Sequence, residues 1–80
     1  MVDSRFLRND FDSMVSHIIE ECGEVLAAAG KMQRWGPLST NPLKEDMTTN
    51  VEWLYRELLD LKLTSERLII KIEELYSTHE

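Results

Sequence analysis

Eighty residues, a formal charge of −6 and one cysteine set firm bounds on this chain. That length holds a single small domain (1–80), of a size that commonly needs a metal or self-association for stability, and a lone cysteine excludes an internal disulfide. The acidic balance argues against a nucleic-acid polymer as partner, because that affinity rests on Lys and Arg meeting phosphates.

Lys31, Arg34, Lys44, Lys62, Arg67 and Lys71 are scattered, with no basic tract. A single nucleotide is a different matter, since bound metal ions can supply positive charge locally. The opening segment, Met1 to Asp12, mixes charges and offers no apolar h-region. No apolar run approaches the roughly 18 residues that a membrane span needs. With an unpaired Cys22, the expectation is a cytoplasmic protein without a membrane partner.

The first helical pattern runs from about residue 10 to residue 35, with Asn9 or Asp10 as its cap and Gly36-Pro37 as its stop. At about 100° per residue, Phe11, Met14, Val15, Ile18, Ile19, Cys22, Val25, Leu26 and Ala29 share one broad face. Cys22 is therefore expected as a small buried hydrophobe. His17, Glu20, Glu21, Glu24, Lys31 and Trp35 fall on or beside the other face. Gly23 and Gly30 fit either a close approach by another helix or simple tolerance.

Residues 36–48 hold two prolines, a glycine and several cap-type side chains, which predicts a loop with a short turn around Pro42 to Asp46. A second helix is expected over about 49–76, capped at Thr48, Thr49 or Asn50. Its main stripe is Val51, Leu54, Tyr55, Leu58, Leu61, Leu68, Ile69, Ile72, Leu75 and Tyr76, and Leu59, Leu63 and Ile70 form a second patch. A helix apolar on more than one side is normally buried on more than one side. The prediction is an all-α antiparallel hairpin of two long helices that self-associates, as homodimer or homotetramer, into a four-helix bundle.

Two acid pairs stand out: Glu21-x-x-Glu24 on the first helix and Glu57-x-x-Asp60 on the second. Residues three apart are neighbours on a helix surface, so each pair makes a two-carboxylate claw. Antiparallel helices allow the claws to face each other around one space. Hard divalent cations such as Mg²⁺ take that kind of oxygen set, often beside substrate phosphates. Solvated surface acids have the same spacing, and Glu73-Glu74 belongs to that class. His17 precedes Glu21 by one turn and reads first as a solvated histidine, second as a partner of that acid. Lys31 and Arg34 fit phosphate contact or complementation of the helix C-terminus. Trp35 and Trp53 fit stacking on a base or anchoring of helix ends.

Glu20-Glu21-Cys22-Gly23-Glu24-Val25, Gly30-Lys31, Arg34-Trp35-Gly36, Asn50 and Glu57-Leu58-Leu59-Asp60-Leu61 together resemble the MazG-like all-α nucleoside triphosphate pyrophosphohydrolases over roughly residues 15 to 72. The resemblance implies Mg²⁺, or Mn²⁺ in its place, held by Glu21, Glu24, Glu57 and Asp60. It implies cleavage of a nucleoside triphosphate substrate to monophosphate and pyrophosphate, in a house-cleaning or nucleotide-pool role. Glu20 and Glu21 become catalytic candidates, with Lys31, Arg34, Trp35 and Trp53 as substrate-binding candidates. The 32 residues between Glu24 and Glu57 depart from compact members of that family. The rival readings are a non-catalytic hairpin module for oligomerisation and a degenerate member that binds nucleotide or metal without turnover.

Overall fold

The computed structural model describes residues 4–40 and 47–79. Two helices, α1 (Ser4–Trp35) and α2 (Asn50–His79), make an all-α hairpin packed along its length, 53 × 20 × 20 Å in extent. The expected turn around Pro42 to Asp46 falls outside the described residues. Neither helix is long and apolar enough to cross a membrane.

α1 begins six residues before its expected start. No glycine or proline interrupts Ser4 to Asp10, so residues 9 and 10 lie within the helix rather than starting it. Its end is the expected one. The Gly36 N–H closes onto the Met32 carbonyl at 2.8 Å while Gly36 takes φ 91°, a left-handed residue just past the last turn.

The start of α2 is fixed with unusual completeness for a helix end, where four N–H groups lack partners within the helix. Here Asn50 N–H donates to the Ser39 carbonyl and Val51 N–H to the Pro37 carbonyl, both at 2.9 Å. Glu52 N–H donates to Thr49 Oγ1 at 3.3 Å, and Trp53 N–H to the Thr49 carbonyl at 3.0 Å. Thr49 is therefore the cap, one of the three candidates, with Glu52 in the place a capping box uses. The buried Asn50 side chain also donates to the Gly36 carbonyl at 3.0 Å. These bonds tie the end of α1 to the beginning of α2.

Along the seam α1 turns Phe11, Met14, Ile18, Glu21, Val25, Ala28 and Met32 inward. α2 answers with Leu54, Glu57, Leu61, Thr64, Leu68, Lys71 and Leu75. The alternation of three and four residues is that of helices crossing at a shallow angle with interlocking side chains. Contacts climb α1 as they descend α2, from Lys71 on Asp10 at 2.7 Å through the acids to Lys31 on Trp53, so the helices are antiparallel. Ala28 is the fully buried apolar side chain among the described residues. Its methyl group fills the seam two turns from Glu21.

The seam is narrower than the broad face read from α1, and it is shifted. Val15, Ile19, Cys22 and Leu26 are exposed, so the expectation of a buried Cys22 fails. One partner helix covers only a stripe, and these residues lie about a quarter-turn outside it. Helical geometry places them on the same side of the hairpin as Val51, Tyr55, Leu58, Ile69 and Tyr76 of α2, which are also exposed. The opposite flank carries Glu20, Glu24, Lys31 and Trp35 of α1 with Trp53 and Asp60 of α2. Gly23 and Gly30 face open space, so no close helix approach explains them within one chain.

Ala28→Leu is expected to force the helices apart and to lower the unfolding free energy by about 1–3 kcal/mol, read by urea denaturation followed at 222 nm. An unchanged midpoint would mean that the seam is not close-packed at this position.

Candidate functional site

Midway along the hairpin, seam positions that carry Ile, Val or Leu a turn away are held by acids. Glu21 and Glu57 are inward-facing members of the interlocking stripe, and Asp60 lies on the edge next to Glu57. Each of the three offers a carboxylate oxygen, and these oxygens all lie within 4.8 Å of one another. Glu24 is outside that group of three but close enough to Glu57 for hydrogen bonding and charge to raise its pKa. Three of the four acids of the two sequence pairs therefore converge, and Glu24 lies beside them. Glu21, expected on the border of the core stripe, lies within the seam itself, because the true seam runs a quarter-turn from the broad apolar face. Glu20 is exposed at the open side of the cluster, near enough for its charge to act on Glu24.

Packing like charges this way is unfavourable unless something intervenes, since each carboxylate resists ionisation of the next. Glu24 shows the result: its pKa is raised to about 7. The hydrogen bond with Glu57 is the largest cause, followed by repulsion from Glu21, desolvation, and the charges of Glu57 and Glu20.

Two ring nitrogens meet the inner acids in matching fashion. His17 Nε2 lies 3.2 Å from Glu21 Oε1, and Trp53 Nε1 donates to Glu57 Oε1 at 3.0 Å. Each donor stands four residues before its acid. The remaining oxygens, Glu21 Oε2 and Glu57 Oε2, are buried with no hydrogen-bond donor. Lys31 Nζ lies 4.0 Å from the centroid of the Trp53 ring, a cation–π contact. That ammonium covers a ring face that base stacking, one of the two roles read for Trp53, would use.

Of the other sequence candidates, Trp35 is exposed on the same flank, three turns beyond Glu24. Arg34 is exposed and roughly 15 Å further along α1 than Glu24 at 1.5 Å per residue, pointing away from the cluster. Neither joins the acids. His17 does join them, although a solvated histidine was the first reading of it. The signal that could have promoted it is the repeated four-residue step, His17 to Glu21 and Trp53 to Glu57.

An all-oxygen set with two buried, undonated carboxylate oxygens fits a hard divalent cation; softer ions prefer imidazole and thiolate, and Cys22 is on the opposite side. No protein-family model, curated protein or solved structure matches this chain.

The Glu24 shift has a stability consequence with a definite sign. Its folded pKa of about 7 lies above the ordinary 4.5, so its contribution is fully present below about pH 4.5 and is lost as the pH rises through 7. The thermal midpoint of the metal-free chain is expected to fall across that window, and Glu24→Gln to flatten the fall. Melts followed by circular dichroism from pH 4.5 to 8 measure it. An equal slope in the variant would show that Glu24 and Glu57 share no proton.

Proposed function

We propose that this chain is a divalent-cation-dependent nucleoside triphosphate pyrophosphohydrolase, converting a triphosphate and water to a nucleoside monophosphate and pyrophosphate. The observation that supports it is the convergence of Glu21, Glu57 and Asp60 in a partly buried helix seam, with Glu24 beside them and two carboxylate oxygens lacking any donor. The MazG-like resemblance supplies the reaction class, because it places these same four acids as Mg²⁺ ligands.

Glu21, Glu57 and Asp60, with Glu24, would hold Mg²⁺ or Mn²⁺. Such an ion, when bound, neutralises triphosphate charge and lowers the pKa of a coordinated water. Glu20, exposed beside the cluster, or a cluster acid such as Glu21 not engaged as a ligand, would take the proton from the attacking water. The water oxygen joins the α-phosphorus, the bond to the α–β bridging oxygen breaks, and pyrophosphate leaves with that electron pair. Lys31 lies two turns beyond Glu24 on the open flank. It would reach phosphate oxygens by leaving the Trp53 ring. Trp35, a turn further, is the stacking surface left for a base on that flank.

The uncovered apolar flank supports self-association. Val15, Ile19 and Leu26 of α1 and Val51, Leu58 and Ile69 of α2 would meet their counterparts in a second copy, as homodimer or as part of a homotetramer, leaving the acidic flank open. The same flank also serves a hairpin module with no chemistry, and pyrophosphate release separates the two readings.

Glu57→Ala and Asp60→Ala are each expected to reduce Mg²⁺-dependent pyrophosphate release from a panel of nucleoside triphosphates by at least about 100-fold, with helical content retained. Undiminished release in both variants would overturn the ligand assignment. Leu58→Lys is expected to shift the sedimentation coefficient to that of a monomer at micromolar concentration. A sedimentation profile identical to that of the parent chain would remove the apolar flank as the interface.

A further inference from the structure

The inner acids are oriented by a matched device, and it goes beyond their assignment as ligands. Glu21 and Glu57 each have one oxygen engaged by a ring nitrogen from the preceding turn of the same helix, His17 Nε2 at 3.2 Å and Trp53 Nε1 at 3.0 Å. In both, one carboxylate oxygen is engaged and the other is buried without a donor. A glutamate has three rotatable side-chain bonds, and a carboxylate free to turn loses that freedom on binding. A donor fixed on one oxygen removes that loss in advance, and partners of this kind orient metal ligands generally. The indole is itself held, because Lys31 Nζ lies 4.0 Å from its ring centroid.

We infer that Trp53 and His17 are positioning residues, each holding one oxygen of its glutamate so that the other is presented to a divalent cation. The assignment rests on the cation reading above, and it changes the role of Trp53. Its N–H serves Glu57 and its face carries Lys31, so it orients the site rather than stacking on a base. His17 becomes part of the machinery instead of a solvated side chain.

The test is saturable binding of Mn²⁺ alone, followed by electron paramagnetic resonance, in the wild-type chain and in Trp53→Phe, His17→Ala and His17→Gln. Phenylalanine keeps the ring and removes the donor, while glutamine restores a donor that alanine lacks. Loss of either donor is expected to weaken Mn²⁺ binding about tenfold or more, and His17→Gln is expected to recover most of that loss. If Trp53→Phe and His17→Ala bind Mn²⁺ as the wild type does, the positioning role is overturned and the cation site stands. If the wild-type chain shows no saturable binding, both fall.

A second measurement needs no altered fold. The chain has two tryptophans and hence two indole N–H resonances, separable with Trp35→Phe. In the wild type, the Trp53 signal is expected to exchange slowly and to move on titration with Mg²⁺, while the Trp35 signal does neither. A Trp53 signal that exchanges as fast as that of Trp35 and ignores Mg²⁺ would overturn the assignment.

Discussion

The hairpin is organised around carboxylates that occupy places meant for hydrocarbon. Elsewhere along the seam Met14, Ile18, Val25, Leu54, Leu61 and Leu68 interlock and drive the helices together. At the middle, Glu21 and Glu57 face the same gap and contribute none of that attraction. Burying a charged group without a partner is among the costliest things a small fold can do. A chain this short has little hydrophobic stabilisation to spare. The acids are therefore tolerated through partial measures, namely two ring donors, a Glu24 carboxyl whose pKa is raised, and an edge left open to water. None of these satisfies all the oxygens present. That unmet demand is the physical basis for reading the cluster as a site rather than as surface acidity.

Much of the architecture was legible in the chain because it depends on local rules. The stop at Gly36 follows from a residue that accepts the left-handed backbone, and the start near Thr49 follows from capping chemistry. The four acids were legible from spacing alone. What the sequence did not yield was the exact position of the seam. Nine apolar residues spread over a wide arc of α1, and a single partner helix covers only part of that arc. Which part is a tertiary choice, and it fell on the side where Glu21, Ala28 and Met32 lie. This one rotation explains the misplaced Cys22, the uncovered Ile19 and Leu26, and the unexpected depth of Glu21.

The side-chain roles were harder still. His17 and Trp53 each have ordinary explanations when read singly, and only the three-dimensional structure shows each engaging one oxygen of a seam glutamate. Lys31 was open between phosphate and helix dipole, yet it lies on an indole face, a third arrangement that spacing did not suggest. Arg34 illustrates the reverse case. Its neighbourhood in sequence placed it with Lys31, and a three-residue step keeps it on the neighbouring face, but it is exposed and roughly 15 Å beyond Glu24 along α1.

The hairpin is fastened at both ends. Near one end the Lys71 ammonium, its pKa raised chiefly by its hydrogen bond to Asp10, pins the outer turns; at the other the Gly36–Asn50 contacts lock the loop end. The acids thus sit in a span tied at both ends by contacts within the chain. A cation settling among them would offset their mutual repulsion where it arises, without the hairpin having to open.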